Sequence, residues 1–295
     1  MEFKNFIEPE ALSVEQVIFK SIELSILRLD KIHPIVSGNK FYKLKYNLES
    51  ALTQNLEQLV TFGGAFSNHI AATAHAAKLA KIRAIGIIRG EEVNNPTLDF
   101  AKREGMQLIF VDRNTYRNKH SKTYIEKLKN DLGYFYLIPE GGTNALAVKG
   151  TAEIMQHIPS TTKTIACCVG TGGTMAGLIN ASSTNQKIIG FSVLKGDWIN
   201  EEVRQWTPKK NWRIQTSYHF GGYAKWKPEL INFINQFKQE TNIPIDPIYT
   251  GKMLFGIVDL IKKGEISSEG LTIIHSGGLQ GIHGFNQRYG NMLNI

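Results

Sequence analysis

Short apolar segments alternate with amphipathic segments along most of the 295-residue chain, and this alternation constrains the fold more than any other feature. Seven apolar runs predict strands, at residues 58–63, 82–89, 106–112, 134–140, 164–170, 187–193 and 271–278. The segments between them carry apolar residues at helical spacing, as in "NHIAATAHAAKLA" and "GKMLFGIVDLIKKG". Apolar strands separated by helices are typical of parallel sheets that are covered on both faces. The sequence therefore predicts an α/β fold.

The composition allows a sizeable core and gives no sign of a membrane or secretory segment. Hydrophobic residues make up 42% of the chain, yet no apolar run has membrane-spanning length. The start, "MEFKNFIEPEAL", lacks the features of a signal peptide. The two cysteines, Cys167 and Cys168, are adjacent, which disfavours a disulfide and fits a reducing compartment. We therefore expect a soluble, cytoplasmic protein, and no Cys/His cluster has zinc-ligand spacing.

The positive charge of the chain is spread out. The formal net charge is +8, but the lysines are scattered through helical segments such as "YRNKHSKTYIEKLKNDLG". Nucleic-acid-binding proteins more often gather their basic residues beside aromatic stacking residues. We therefore expect no nucleic-acid partner, and interpret the charge as a basic surface that attracts anionic metabolites.

Four of the predicted strand-to-helix joints are rich in glycine. They read "TFGGAFSNHIAA", "IPEGGTNALAVKG", "CCVGTGGTMAGL" and "IIHSGGLQGIHG". In open α/β sheets, ligands bind outside the carboxyl ends of the strands, where loops lead into helix N-termini. We therefore expect a site lined by backbone amides.

The joint "VGTGGTMAGLI" (169–179) has the context of a phosphate cup, because it follows a strand and starts a helix. As a dinucleotide fingerprint it is poor, since the next strand ends at Lys195 instead of an acid, with Asp197 two residues on. It also lacks the Gly-Lys-Ser/Thr of a P-loop. The remaining interpretation is a cup for one phosphate group, as on pyridoxal phosphate or a sugar phosphate.

A lysine in "SGNKFYKLKYNLESAL" (37–52) is a second candidate functional group, beside the phosphate cup. Lys40 is predicted to lie on a tight loop just before a helix. A single loop lysine is usually solvated, but a lysine combined with a phosphate cup suggests a cofactor held as a Schiff base.

Six motifs in the same order resemble the fold-type-II pyridoxal-phosphate (PLP) enzymes, and within them the group containing 1-aminocyclopropane-1-carboxylate (ACC) deaminase and D-cysteine desulfhydrase. The likeness runs from about residue 26 to residue 286. Its motifs are "SGNKFYKL", "TFGGAFSNHIAATAHAA", "IPEGGTNALAVKG", "VGTGGTMAG", "DPIYTGKMLFGI" and "HSGGLQGIHGF".

This resemblance implies pyridoxal 5'-phosphate as the cofactor and two interlocked open parallel-sheet domains, similar to the tryptophan synthase β subunit. A large PLP-binding domain would comprise residues 1–45 and 150–295, and a small domain residues 46–149. The cofactor would lie between the domains. By analogy with this fold we expect a homodimer that acts on a small amino acid.

The resemblance also implies roles in cofactor binding. Lys40 would carry the cofactor aldehyde, and Lys43 would lie beside the cofactor phosphate. Asn68 in "FSNH" matches the asparagine that bonds the pyridine 3-hydroxyl. The phosphate cup would be formed by Gly170, Thr171, Gly172, Gly173 and Thr174.

Further residues match family positions near the substrate. Ser67 matches the serine that faces the substrate, and Tyr249 in "DPIYTGK" matches a tyrosine packed against the pyridine ring. Tyr223 in "FGGYAKWKPE" falls where the family carries a second active-site tyrosine, although its neighbours match less well. Ser67 and Asn68 could instead cap the helix that follows, and Tyr223 could be a core aromatic. We expect His69 to be a first-turn helix residue or to support the site through a hydrogen bond, and not to act as a general base.

The residue after Tyr249 favours one reaction of the group. ACC deaminase carries a glutamate there, beside the pyridine nitrogen, whereas this chain has Thr250 and so resembles the desulfhydrase branch. A neutral hydroxyl raises the proton affinity of the ring nitrogen far less than a carboxylate does. An unprotonated ring still assists loss of an α-proton and a β-leaving group, so β-elimination is favoured over cyclopropane opening.

The expected enzyme is a PLP-dependent lyase or deaminase. Lys40 would remove the α-proton of a D-amino acid. Tyr223 or Tyr249, together with Ser67, would position the carboxylate or protonate the leaving group, and pyruvate, ammonia and sulfide would be released. Three alternatives stay open: an ACC deaminase that forms 2-oxobutanoate and ammonia, a catalytically silent PLP-binding relative, and a nicotinamide-dependent oxidoreductase.

Overall fold

The computed structural model describes residue 3 and residues 7–294, and the described part alternates strands and helices. The strands are β1 (Val14–Phe19), β2 (Ile22–Arg28), β3 (Gln58–Gly64), β4 (Arg83–Arg89), β5 (Gln107–Val111), β6 (Tyr136–Ile138), β7 (Thr164–Val169), β8 (Lys187–Ser192), β9 (Trp212–Gln215) and β10 (Leu271–His275). The helices are α1 (Asn39–Thr53), α2 (Asn68–Leu79), α3 (Pro96–Arg103), α4 (Arg113–Arg117), α5 (Lys122–Leu132), α6 (Ala145–Ala152), α7 (Gly173–Ala181), α8 (Ile199–Arg204), α9 (Pro228–Thr241), α10 (Thr250–Lys262) and α11 (Gln280–Tyr289).

The strands form two sheets. One has the order β1-β2-β10-β7-β8-β9, and the other has the order β5-β4-β3-β6. All pairings are parallel except that of β1 with β2, which is an antiparallel hairpin at the edge of the larger sheet. The predicted α/β fold with parallel sheets is therefore confirmed.

Three strands were missed by the sequence analysis: β1, β2 and β9. The turn between β1 and β2 is made by Lys20 and Ser21, which both adopt positive φ. Hairpin turns of this kind usually contain Asn-Gly or Asp-Gly, so the sequence offered no turn signal. β9 has only four residues, of which none is fully buried, and so it lacks an apolar run.

The helices α1, α6 and α7 pack closely because glycines stand at their contacts. A Cβ on Gly150 of α6 would lie 2.0 Å from the carbonyl oxygen of Tyr42 in α1. A Cβ on Gly177 of α7 would lie 2.2 Å from Thr151 Oγ1 in α6. This packing fixes the first turns of α1 and α7 relative to each other, at the ends that face the candidate site.

The four glycine-rich joints lie at the carboxyl ends of β3, β6, β7 and β10. Each contributes residues to one cavity, which receives loops from both sheets. Within the described residues, no helix is both long and apolar enough to cross a bilayer.

Candidate active site

The cavity at which the four joints meet is called the inner cavity here. It is lined by Asn39, Lys40, Lys43, Ser67, Asn68, His69, Gly141, Cys168, Gly170, Thr171, Gly172, Thr174, Met175, Tyr249 and Ser276. Three of the residues predicted for the site are outside this lining. Gly173 lies buried at the start of α7, Thr250 at the start of α10, and Tyr223 in a neighbouring cavity.

Lys40 lies in the first turn of α1, so the prediction that it lies on a loop was wrong. The helix begins at Asn39 because Gly38 turns the chain with a φ of +64° directly against the loop after β10. There, Asn39 N–H donates to the carbonyl of Ser276. A Cβ at position 38 would lie 1.9 Å from that carbonyl oxygen, so only glycine fits.

The amine of Lys40 loses its proton more readily than that of an exposed lysine. Its Nζ donates to Asn39 Oδ1 at 3.0 Å, and Asn39 Nδ2 donates to Thr174 Oγ1 at 2.8 Å. Burial lowers the pKa of Lys40 to about 8. A lysine with this pKa carries a substantial uncharged fraction near neutral pH, which is the form that attacks an aldehyde.

Lys43 is buried one turn later and is surrounded by neutral oxygens. Its Nζ donates to Gly141 O and Thr143 Oγ1, both at 2.9 Å, and to Thr171 Oγ1 at 3.3 Å. Burial, aided by the charge of Lys40, holds the pKa of Lys43 well below its ordinary value. An anion in the inner cavity would offset this cost of burying the ammonium group.

The loop from Gly170 to Thr174 forms a cup at the N-terminus of α7. Gly172 has a φ of +82°, which favours glycine, and the helix starts at Gly173. A Cβ on Gly173 would lie 2.8 Å from Thr143, so the cup is held closely against the loop after β6. Backbone N–H groups and the positive end of a helix dipole together make such a cup a binding site for a phosphate.

The residues that follow β3 combine helix capping with a place in the cavity. Ser67 is the N-cap of α2, with its Oγ accepting from Ile70 N–H at 3.4 Å, so the capping alternative is correct for Ser67, which also lines the inner cavity. His69 Nε2 lies 2.8 Å from Thr61 Oγ1, whose hydroxyl donates to Ile138 O. His69 must then donate from Nε2, and burial holds its pKa well below its ordinary value. His69 is thus a neutral support of the loop, as expected.

Two buried polar atoms at the site lack a partner. Among the described residues, the buried side-chain atoms without a hydrogen bond are Asn68 Oδ1, Asn95 Nδ2 and Thr250 Oγ1. Asn68 lines the inner cavity, and Thr250 lies beside the thiol of Cys168, which also lines it. Buried polar groups are rarely left unsatisfied in native proteins, so these atoms indicate a ligand with polar groups of its own.

The donor set fits pyridoxal 5'-phosphate. That molecule carries an aldehyde, a phenolic hydroxyl, a ring nitrogen and a phosphate. The cavity presents the amine of Lys40, the side-chain amide of Asn68 and the cup from 170 to 174 with Lys43, and the buried hydroxyl of Thr250 lies behind its lining beside Cys168. Each group of the cofactor therefore has a chemically suitable counterpart.

Tyr249 is the N-cap of α10, and its position is set by a buried carboxylate. Asp246 accepts from the N–H groups of Ile248, Tyr249 and Thr250, each at 2.8 Å. The rings of Tyr249 and Tyr223 meet edge to face with centroids 6.2 Å apart. Burial raises the pKa of Tyr249 well above its ordinary value, so its hydroxyl stays protonated.

The segment that carries Tyr223 is held by a buried lysine. Lys252 of α10 donates to the carbonyls of His219 and Gly222, both at 2.8 Å. Burial lowers the pKa of Lys252 to about 8. Tyr223 itself is 38% exposed and lines the neighbouring cavity, where its ring contacts that of Tyr249.

Sequence reasoning missed four residues that shape the site: Asn39, Asp246, Lys252 and Ser276. All four lie inside the motifs that carry the family resemblance, but the resemblance assigned roles to neighbouring residues and not to these four. Nothing in a sequence distinguishes the buried Lys252 from an exposed lysine. The acid in "DPIYTGK" could have been read as a cap, because aspartate favours the position before a helix.

Comparison with known proteins agrees with this geometry. A family model described as "Pyridoxal-phosphate dependent enzyme" matches residues 21–277. The chain belongs to this family of pyridoxal-phosphate dependent enzymes, and its cofactor is pyridoxal 5'-phosphate, as predicted.

Two proteins similar in sequence have names that point to more specific activities within this family. A Pyrococcus abyssi protein provisionally named 1-aminocyclopropane-1-carboxylate deaminase is 30% identical over 275 residues, covering 85% of this chain and 83% of its own. The mitochondrial bifunctional D-cysteine desulfhydrase/1-aminocyclopropane-1-carboxylate deaminase of Arabidopsis thaliana is 29% identical, with 88% of this chain and 73% of the plant protein covered.

Solved structures show the same fold. A crystal structure described as an ACC deaminase homologue superposes with a TM-score of 0.86 at 26% identity, over 97% of this chain and 95% of the other. The processed form of threonine deaminase isoform 2 from Solanum lycopersicum superposes with a TM-score of 0.63 at 15% identity, over 87% of this chain and 75% of the other, which shows a shared fold alone.

Proposed function

We propose that the chain is a D-cysteine desulfhydrase-like lyase, which eliminates the β-substituent of a small D-amino acid and releases pyruvate and ammonia, with sulfide when the substrate is D-cysteine. The observation that carries this proposal is Thr250, a neutral and unpaired hydroxyl at the position where ACC deaminase carries a glutamate. A neutral partner suits the loss of an α-proton and a good leaving group, whereas opening a cyclopropane calls for a stronger electron sink.

The cofactor, when bound, supplies an aldehyde for the substrate amine and a ring that withdraws electrons from Cα. Lys40 Nζ acts as the base that takes the α-proton, since its lowered pKa leaves it partly uncharged near neutral pH. Lys43 and the cup from 170 to 174 hold the phosphate. Asn68 would bind the phenolic oxygen, and Thr250 would donate to the ring nitrogen.

The substrate is held by groups at the starts of α2 and α10. Ser67 and the N-terminus of α2 provide a hydroxyl and backbone N–H groups for the substrate carboxylate. The hydroxyl of Tyr249 stays protonated and donates to the departing sulfur, with Tyr223 packed against its ring. The two tyrosines also limit the access of water to the reacting atoms.

The second candidate function is deamination of ACC, which would give 2-oxobutanoate and ammonia. The names of the Pyrococcus and Arabidopsis relatives favour it, and the plant name joins both activities. We rank it second because Thr250 is uncharged and the carboxylate of nearby Asp246 is occupied by three backbone N–H groups.

A substrate screen tests the proposal. Purified holoprotein is assayed for keto acid release from D-cysteine, L-cysteine, D-serine, β-chloro-D-alanine and ACC. We expect pyruvate from D-cysteine and β-chloro-D-alanine. Turnover of ACC alone would reverse the order of the two functions, and a yellow protein that releases no keto acid would identify a silent relative.

The role of Lys40 is tested separately. Borohydride reduction of the holoprotein should fix the cofactor on a peptide that contains Lys40. Lys40→Ala should lower turnover of D-cysteine at least about 1000-fold. The control is Lys45→Ala, which removes a lysine of the same helix that pairs with Glu153 at 2.6 Å outside the inner cavity. Labelling of another lysine would overturn the assignment.

The remaining expectations about the whole molecule stay predictions. The division into 1–45 with 150–295 and 46–149 is supported by the smaller sheet, whose strands lie between residues 58 and 138. Limited proteolysis can test this division. The expected homodimer can be checked by light scattering of the eluted protein, and the cytoplasmic location by fractionation of cells.

A further inference from the structure

A wider cavity adjoins the inner cavity and is called the outer chamber here. Its lining includes Arg89, Lys119, Glu140, Glu202 and Tyr223. It shares Ser67, Gly141, Gly170, Thr171 and Tyr249 with the inner cavity. A substituent on the β-carbon of a substrate therefore has room to extend from the inner cavity into the outer chamber.

Arg89 stands in the wall of this chamber at the carboxyl end of β4. Its guanidinium carbon lies 5.6 Å from the centre of the buried ring of Tyr116. Its Nη2 lies 3.6 Å from the position that a Cβ on Gly64 would take, so the guanidinium lies over the backbone at the end of β3. Ser67, which is proposed to hold the substrate carboxylate, follows Gly64 by three residues.

The positive charge of Arg89 has no carboxylate partner among the described residues. The nearby Glu140 is occupied, because it accepts from Tyr116 Oη at 2.8 Å and lies 3.4 Å from Lys119 Nζ. Glu202 lies on α8 at the exposed side and accepts from Gln205 Nε2 at 2.9 Å. Lys119 and Glu140 form an ion pair with each other and Glu202 is bonded by a neutral amide, so Arg89 is the lysine or arginine of this lining that has no ion pair among the described residues.

We propose that Arg89 recognises an oxyanion on the β-substituent of the substrate, so that the preferred substrates are D-amino acids with an anionic β-group such as a phosphate or sulfate ester. The planar guanidinium presents parallel N–H donors that match the oxygens of such groups. This inference rests on the proposed β-elimination and names its substrate class.

The elimination of such a substrate needs water as its only other reactant, and its atoms and electrons balance. The α-proton passes to Lys40 Nζ, and the Cβ–O bond breaks with its electron pair leaving on the ester oxygen. The departing oxyanion enters the outer chamber beside Arg89. The three-carbon enamine that remains is released and hydrolysed by water to pyruvate and ammonium.

Binding of an unreactive pair of ligands tests the recognition directly. Calorimetry on the holoprotein compares D-2-amino-3-phosphonopropanoate, whose C–P bond does not break, with D-alanine, which lacks the β-group. We expect the phosphonate to bind at least about tenfold more tightly, and Arg89→Gln to remove that advantage. Arg83→Gln is the matched control, since Arg83 lies at the other end of β4, is exposed as Arg89 is, and lines neither cavity. Equal losses for both ligands in Arg89→Gln would place Arg89 on the α-carboxylate and overturn the inference.

Kinetics separate this inference from the proposed function. The ratio of kcat/KM for O-phospho-D-serine to that for β-chloro-D-alanine should fall at least about tenfold in Arg89→Gln and stay constant in Arg83→Gln. Turnover of β-chloro-D-alanine with an unchanged ratio would leave the lyase and refute the substrate class. No turnover of either compound, together with phosphonate binding that depends on Arg89, would refute the lyase and keep the recognition.

Discussion

Lys43 Nζ lies 3.3 Å from Thr171 Oγ1, although 128 positions separate the two residues in the chain. The contact joins the first turns of α1 to the glycine cup before α7, and Lys43 is bonded there by neutral groups alone. A buried ammonium with only neutral partners is stabilised by an arriving anion. An anion such as the cofactor phosphate would therefore favour the charged form of Lys43, which burial alone disfavours.

Replacement of Lys43 should reveal this role through the phosphate. In the wild-type protein we expect pyridoxal 5'-phosphate to bind far more tightly than pyridoxal, which lacks the phosphate. Lys43→Met should reduce that difference by about 10- to 100-fold, because a charge-assisted bond to the phosphate is lost. Equilibrium dialysis measures both affinities. Lys45→Met, which removes the surface pair with Glu153, is the control and should keep the full difference.

The rate of cofactor capture should depend on pH through Lys40. Burial lowers its pKa to about 8 from an ordinary value of 10.5, and only the uncharged amine attacks the aldehyde. The rate at which apoprotein takes up the cofactor should therefore rise with pH and level off above a midpoint near 8. The visible absorption of the bound cofactor reports this rate. A midpoint near 10.5 would show that Lys40 is solvated.

Thr250→Val should separate the stability of the apoprotein from the effect of the cofactor. The Thr250 hydroxyl is buried and unpaired, so its removal should raise the apoprotein's free energy of unfolding by about 1 kcal/mol or leave it unchanged. The rise in Tm on adding the cofactor should become smaller, because a bond to the ring nitrogen is lost.

Thr272→Val serves as the comparison for that experiment. Thr272 is also buried, but its hydroxyl lies 2.8 Å from that of Thr162, away from the inner cavity. This variant should lower apoprotein stability and keep the full gain from the cofactor. If the two variants behaved alike, Thr250 would have no special relation to the cofactor.

Lys252→Met should weaken catalysis without weakening cofactor binding. Lys252 holds the carbonyls of His219 and Gly222, and so it fixes the loop that presents Tyr223. We expect kcat/KM to fall about tenfold, while the cofactor affinity changes less than about threefold. Lys262→Met, at the far end of α10, is the control. A large loss of cofactor affinity in Lys252→Met would show that the residue supports the whole site.

The main features of this fold were predictable from the sequence because buried parallel strands leave continuous apolar runs. β7, read as "TIACCV", is almost entirely buried and was predicted within one residue. The edge hairpin was not, because the half-exposed strand β1 mixes polar and apolar residues. Its turn at Lys20 and Ser21 depends on backbone conformations that these residue types rarely adopt.

The candidate site was partly predictable for a similar reason. Glycines and the motif lysines stand at positions where the backbone or an amine must approach a ligand, and these residue types can be recognised in the sequence itself. The placement of Arg89 was not predictable, because it depends on contacts between residues that are distant in the chain. Arg89 lies against the ring of Tyr116, whose hydroxyl is bonded to Glu140. Lys40 was predicted on a loop instead of in α1, because the start of α1 depends on a distant contact. Asn39 N–H donates there to the carbonyl of Ser276, more than 230 positions away.

The contact of Gly38 with the Ser276 carbonyl also limits how this enzyme can be altered by evolution or in the laboratory. The two loops leave no space for a methyl group, and the atoms that it would meet are backbone atoms of Ser276 and Gly277, so no side-chain change in that loop makes room for one. Position 38 thereby ties the start of α1, which carries Lys40, to the loop after β10. A library randomised at position 38 and screened for yellow colonies should return glycine.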